Sequence, residues 1–313
     1  MPKVIFVGGT SFSGSTAFHL MLANDPAGFA CGETESLFYP QRDGHVRRLH
    51  DCRPESLAIW QQAHAAGVDR VYAHFFDSRP DVEFIVDSSK NPHWIRMQND
   101  LLRQQGIDVD NLLIWKTPLE FAQSRKKREM LTGWQKEWRN AHRVYFTLIE
   151  RWRAVRYQQL ATEPDAVLPA VCAELQIPYF AGKAEFWQKV SHHLGGNYSA
   201  RVHLHQGDEA KRYSSQWIAD DRMQHHQQVY YEAVEDRALA DEVAAAANAD
   251  PMFGGIEAAL MNNDIVTTSG FVPVPQLHIS ALERVLRSAR ERYRGWIGNR
   301  RYGIAIRTLL DQS

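Results

Sequence analysis

Residues 8–18 read GGTSFSGSTAF and follow directly on the apolar run Val4-Ile5-Phe6-Val7. A short β-branched run stopped by two glycines predicts a buried parallel strand, and Ala17 to Ala23 predicts a helix after it. From Gly9 to Thr16 the spacing is that of a phosphate loop, G-x-x-x-x-G-K-[ST], but Ser15 fills the lysine slot. A glycine-rich turn before a helix presents backbone N–H groups to an anion, and the helix dipole adds attraction. The candidate anion-binding residues are Gly9, Thr10, Ser11, Ser13, Gly14, Ser15 and Thr16. In nucleoside triphosphatases the loop lysine reaches the β- and γ-phosphates. Without it, triphosphate chemistry loses its main cation, and a less highly charged donor fits better. The plain alternative is a tight strand-to-helix turn that holds no ligand.

Two further runs extend the pattern. Glu83 to Val86 (EFIV) predicts a second buried strand, ending at Asp87-Ser88-Ser89-Lys90. Leu112 to Trp115 (LLIW) predicts a third, ending at Lys116-Thr117-Pro118. Helical patterns between them give an α/β fold with a three-layer, mainly parallel central sheet. Ligands of such sheets sit beyond the carboxyl ends of the strands. Trp134, Trp138, Ala141, Tyr145, Leu148, Trp152 and Val155 recur at spacings of four and three, which predicts one face of a long helix. Ser215 to Ala247 reads as mostly helical. Turn and breaker residues from 262 to 275 read as a linker, and Ile279 to Arg294 as a basic amphipathic helix. The division expected is an α/β domain over 1–261 and a helical C-terminal extension over 262–313.

The 313 residues carry a formal net charge of −1, which excludes a general nucleic-acid footprint. Two stretches are nonetheless basic. Residues 120–156 hold ten Lys/Arg against four Asp/Glu, and residues 278–313 hold eight Arg against three acids. Both suggest local anionic partners, or else solvated helix faces. The basic C-terminal helix is a candidate for contact with an anionic glycan or lipid headgroup, or with a second subunit. Three scattered cysteines form no CxxC pair, which fits a reducing compartment. With no signal-peptide pattern and no apolar run long enough to span a bilayer, the expected location is cytoplasmic. No HExxH or CxxC pattern occurs among the 14 histidines and three cysteines, so no metal site is expected.

Three separated segments resemble the sulfotransferase family that uses 3′-phosphoadenosine 5′-phosphosulfate (PAPS), in its bacterial form. FVGGTSFSGSTAFHLML (6–22) is similar to the family loop for the 5′-phosphosulfate, VDSSKNPHW (86–94) to its DSSK segment, and LLIWKTPLEFAQSRKKR (112–128) to its strand and helix for the 3′-phosphate. HHLGGNYSARVH (192–203) is a weaker match to a late segment that closes over the nucleotide. The resemblance implies a P-loop-like fold, PAPS as sulfuryl donor without a metal, and direct in-line transfer to a hydroxyl or amine. It places Ser13, Gly14, Ser15 and Thr16 on the phosphosulfate and Lys116 and Ser124 on the 3′-phosphate, with Arg201 as a further phosphate candidate. Lysine in place of the usual arginine at 116 keeps the charge but loses the bidentate fork.

One departure bears on catalysis. The family usually has a cation just before SGST, where this chain has Phe12. Lys90 is the replacement candidate. Glu33 in CGETES (31–36) is the first choice of general base, with Glu35 second and His192 or His193 as further options, while His19 reads as packed. Trp60, Trp94, Trp134 and Trp138 either wall an acceptor site for a small molecule, glycan or lipid headgroup, or fill the core. Two other readings stay open: a nucleotide-binding protein that has lost catalysis, and an ATP-dependent small-molecule kinase.

Overall fold

The computed structural model describes residues 1–50, 52, 54–196 and 231–311. Five strands make one all-parallel sheet: β1 (Lys3–Gly9), β2 (Gly28–Gly32), β3 (Phe84–Asp87), β4 (Asp108–Trp115) and β5 (Arg153–Arg156), in the order β2-β3-β1-β4-β5. β1 lies at the centre, with Val4 opposite Ile85 on one side and Val109 on the other. Its side chains alternate between the faces, as the pleat requires. Val4 and Phe6 enter one core and Ile5 and Val7 the other, and all four are fully buried.

The face that receives Ile5 and Val7 is covered by α1 (Ser15–Leu22), α9 (Tyr157–Thr162) and α10 (Pro164–Leu175). The opposite face is covered by α2 (Glu35–Phe38), α4 (Pro54–Ala66), α5 (Val71–Ser78), α6 (Pro92–Gln104) and α8 (Trp134–Leu148). This is the α/β, three-layer, parallel-sheet architecture read from the sequence. Between these elements run α3 (Asp43–His50) and α7 (Pro118–Lys126), and α11 (Arg237–Ala249), α12 (Met252–Met261) and α13 (Ala281–Asp311) follow.

Several sequence expectations change here. Two strands were missed: β2, GFACG, is short and glycine-flanked, and β5, RAVR, has charged ends that hide its apolar centre. The helix expected from Trp134 through Val155 stops at Leu148; Trp152 precedes β5 and Val155 lies within it. Trp134, Trp138, Tyr145, Leu148 and Trp152 enter one core, whereas Val155 faces the core on the other side of the sheet. Trp60, Trp94, Trp134 and Trp138 are core residues, each no more than 2% exposed, and none walls a site. Of the expected helix 215–247, residues 237–247 are helical and 215–230 lie outside the described residues.

The turn-rich segment 262–275 is tied to the sheet edge. Ala154 N–H donates to the Asn263 carbonyl (2.8 Å), and Ile265 N–H to the Ala154 carbonyl (3.0 Å). The Arg153 guanidinium donates to the carbonyls of Asn263, Asp264 and Thr268 and pairs with Glu174 at 2.8 Å. No described helix is long and apolar enough to cross a membrane.

The C-terminal helix α13 packs on α2, α3 and α4. Its closest approach is at Gly298, where a Cβ would stand 1.9 Å from the Pro40 carbonyl oxygen. A backbone atom cannot swing aside, so Gly298→Ala must push the helix away. We expect a loss of about 1–3 kcal/mol in thermal or denaturant unfolding, whereas Gly254→Ala, whose added methyl meets nothing within 4 Å, should be neutral or slightly stabilising.

Candidate functional site

All five strands end on one edge, and each end carries a polar or anion-seeking group. After β1 comes the turn 10–14. Thr10 and Ser13 are buried there, and neither hydroxyl finds a partner among the described residues. Burying a hydroxyl without a hydrogen bond costs roughly 1–3 kcal/mol, so two at one turn call for a ligand. Ser11 is exposed, and Ser15 and Thr16 form the first turn of α1. The first N–H groups of a helix have no intrahelical acceptor, so this turn points donors at the same place. No side chain caps α1; its N-cap is Gly14 at φ 93°. A Cβ at Gly14 would lie 2.3 Å from the Tyr157 ring, so glycine is required both for the turn and for that ring.

β4 delivers Lys116. Its Nζ donates to Ser124 Oγ at 3.0 Å and sits 4.1 Å from the centroid of the Tyr157 ring. The pair predicted eight residues apart in sequence therefore meets in space. Ser124 Oγ in turn donates to the Glu120 carbonyl at 2.9 Å. Burial lowers the Lys116 pKa to about 8, opposed by Glu120. An anion at this point would keep the ammonium charged.

Glu33 follows β2 and Lys90 follows β3. Lys90 Nζ bonds Glu33 Oε1 at 2.7 Å, and both side chains are partly accessible. They line a cavity of about 730 Å³ that also touches Gly9 and Thr10. Behind them Asp87 is fully buried and held by the Tyr72 hydroxyl (2.8 Å) and the Ser89 N–H (2.6 Å), so its role is to brace the turn. Glu35 lies on the same wall. It accepts from Asn91 Nδ2 at 2.7 Å, yet burial pushes its carboxyl up to about 7.

The late segment reaches the site as far as Gly196. Leu194 N–H donates to the Cys31 carbonyl (2.8 Å), and Glu33 N–H to the Leu194 carbonyl (2.7 Å), so this segment lies along β2. Gly196 abuts Thr16. His192 is held to Ser56 of α4 at 2.9 Å, which ties the segment to that helix, and His193 to Ser191 within the segment at 2.9 Å. His19 is fully buried and its pKa falls to about 3, mainly through burial, so it is a neutral packing residue as expected. Arg201 lies outside the described residues.

The far wall of the cavity is one that sequence reasoning did not place. Arg287, Arg290 and Arg294 of α13 line it together with Lys136 of α8. The basic helix was legible, but its return across the site was not. Arg128 was also missed: its guanidinium lies 3.9 Å from the centroid of the Phe12 ring, and its Nη1 donates to the Ser124 carbonyl at 2.7 Å. The sequence signal was the run RKKR over 125–128, which shows charge but not which member turns to the loop.

No family model matches the chain, and no curated protein matches it. Among solved structures, the chain is similar to the sulfotransferase domain from the Synechococcus PCC 7002 olefin synthase, with TM-score 0.47 and 15% identity over 79% of this chain and 95% of that one. It is also similar to the sulfotransferase domain from the curacin biosynthetic pathway, with TM-score 0.43 and 14% identity over 79% of this chain and 98% of that one. The roles of individual residues rest on this chain's own geometry.

The raised pKa of Glu35 has a consequence for stability. Folding holds its proton between the ordinary carboxyl range near 4.5 and the folded value near 7. Stability from this group is therefore full below pH 4.5 and is lost as pH rises towards 7. Glu35→Gln should match the parent near pH 5 and exceed it by several degrees in thermal midpoint at pH 8. A parent curve parallel to the variant's across that range would contradict the assignment.

Proposed function

We propose that the chain is a PAPS-dependent sulfotransferase that moves a sulfuryl group to a hydroxyl or amine of an acceptor held in the 730 Å³ cavity. The observation that carries this is the pair of buried, unpartnered hydroxyls of Thr10 and Ser13 at the start of α1, one strand away from Lys116 and Ser124. Two anion sites at the ends of the adjacent strands β1 and β4 match a nucleotide with phosphate groups at both its 5′ and 3′ positions. Gly9, Thr10, Ser11, Ser13, Gly14, Ser15 and Thr16 would hold the 5′-phosphosulfate. Lys116 and Ser124 would hold the 3′-phosphate, with Arg201 as a third ligand. When bound, PAPS supplies an activated sulfuryl group and a stable bisphosphate as leaving group.

The chain's own contribution begins with Glu33. A carboxylate at the cavity edge is placed to take the proton of the acceptor hydroxyl as its oxygen bonds to sulfur and the bridging S–O bond breaks. In the resting site Lys90 is neutralised by Glu33. Protonation of Glu33 releases that charge, leaving an ammonium beside the transferring group at the moment negative charge moves through it. Lys90 is thus the second catalytic residue, and a preorganised cation of this kind is worth orders of magnitude in rate. The acceptor is a small molecule, a glycan unit or a lipid headgroup. Arg287, Arg290, Arg294 and Lys136 on its wall stand beside Glu137, Glu283 and Glu291, with Arg287 paired to Glu283 and Arg294 to Glu291, so this wall favours an acceptor rich in hydroxyl groups.

The 3′-phosphate site separates this reading from other nucleotide chemistry. The protein should bind adenosine 3′,5′-bisphosphate about a hundredfold more tightly than adenosine 5′-monophosphate, since a charge-assisted contact is worth up to about 3 kcal/mol. Lys116→Ala should erase most of that difference and leave the monophosphate affinity nearly unchanged. Equal affinity for the two nucleotides in the parent protein would overturn the assignment.

A further inference from the structure

Phe12 is the least expected residue of the loop, and its backbone is unusual as well. It adopts φ 65°, the left-handed region that a bulky side chain enters only at a cost. A strained residue at the centre of an anion-seeking turn invites a functional explanation. The conformation puts the phenyl ring against the Arg128 guanidinium, 3.9 Å from ring centroid to Cζ. From these contacts we propose that Phe12 does not remove the loop's cation but carries it: its ring is a platform that holds Arg128 at the phosphosulfate site. This rests on the donor reading given above.

The neighbours of Arg128 show that the placement is selective. In the run 125–128, Arg125 pairs with Glu137 at 2.9 Å, Lys126 with Asp236 at 2.6 Å, and Lys127 with Glu232. Among the described residues only Arg128 of this run meets an aromatic face instead of a carboxylate. The difference matters for a binding site. A carboxylate cancels the charge it holds, whereas a ring face orients a cation and leaves its charge available to a ligand. One N–H of Arg128 is used on the Ser124 carbonyl, in the last turn of α7, where the helix dipole also favours a cation. A planar guanidinium has five N–H donors, so it anchors there and keeps others for an anion.

Lys116 is held in the same way, over the Tyr157 ring, and that ring packs against Gly14 of the loop. Two cations on two ring faces thus flank one turn. Lys116 stands by the serine assigned to the 3′-phosphate. Arg128 stands by the loop residue itself, where charge collects on the bridging oxygen as the sulfuryl group departs. Arg128 is thereby a donor-binding residue for the 5′-phosphosulfate, and Phe12 its positioning residue.

A double-mutant cycle read by calorimetry with adenosine 3′,5′-bisphosphate tests this without any acceptor. Arg128→Ala should weaken binding about tenfold. Phe12→Leu, which keeps bulk but not the ring, should weaken it by a similar factor. The double variant should be no worse than either single one. Phe12→Lys combined with Arg128→Ala places a cation directly on the loop and should restore affinity. Unchanged thermal midpoints would verify that each variant is folded; Phe12→Asn, which lacks the ring and tolerates φ 65°, serves if Phe12→Leu is not. Single effects that multiply in the double variant, or singles that bind like the parent, would overturn the platform while the donor reading stands. A parent protein that does not bind the bisphosphate would remove both.

Discussion

A parallel sheet sends all its carboxyl ends to one edge, and that constraint organises the whole molecule. β1, β2, β3, β4 and β5 contribute the loop, Glu33, Lys90, Lys116 and Tyr157 respectively, each within a few residues of the strand's last pair. No long-range design beyond the sheet order is needed to collect them. The two cores on either face, closed by tryptophans and aliphatic side chains, fix the register of these ends. Helix α13 adds the remaining wall by crossing over α2 and α3, an approach that the glycines at 295 and 298 permit.

Charge at this edge is managed in two ways. At the cavity the charges are paired, Lys90 with Glu33, and in the proposed reaction protonating one releases the other. Around the loop the cations rest on rings instead: Lys116 on Tyr157, and Arg128 on Phe12. The buried hydroxyls of Thr10 and Ser13 add two donors that find no acceptor among the described residues. The edge thus sets two ring-held cations and two buried hydroxyls beside one accessible ion pair, the arrangement on which the proposed donor site rests.

Much of this architecture is legible in the amino-acid sequence. The glycine loop, the three apolar strands and the polar residues after them follow from local pattern, because each strand is buried on both faces and reads as a plain apolar run. The Lys116–Ser124 contact followed from the helical spacing that a family resemblance supplied. What stayed hidden depended on tertiary contact. β2 and β5 are too short and too polar at their ends to announce themselves, and the stripe from Trp134 to Val155 merged a helix with a strand residue that faces the opposite core, because burial alone keeps the spacing apolar. Phe12 stands where the family has a cation, and its contact with Arg128 comes from the fold and not from local pattern. Arg128 was one basic residue among four, distinguishable only by where the chain turned it.

The most direct test of the central claim is calorimetric titration of the purified protein with adenosine 3′,5′-bisphosphate in the absence of magnesium, run beside ATP with magnesium. The account predicts micromolar, magnesium-independent binding of the bisphosphate and no competing response to ATP. Binding of ATP alone, with a requirement for magnesium, would contradict it and make the loop that of a kinase.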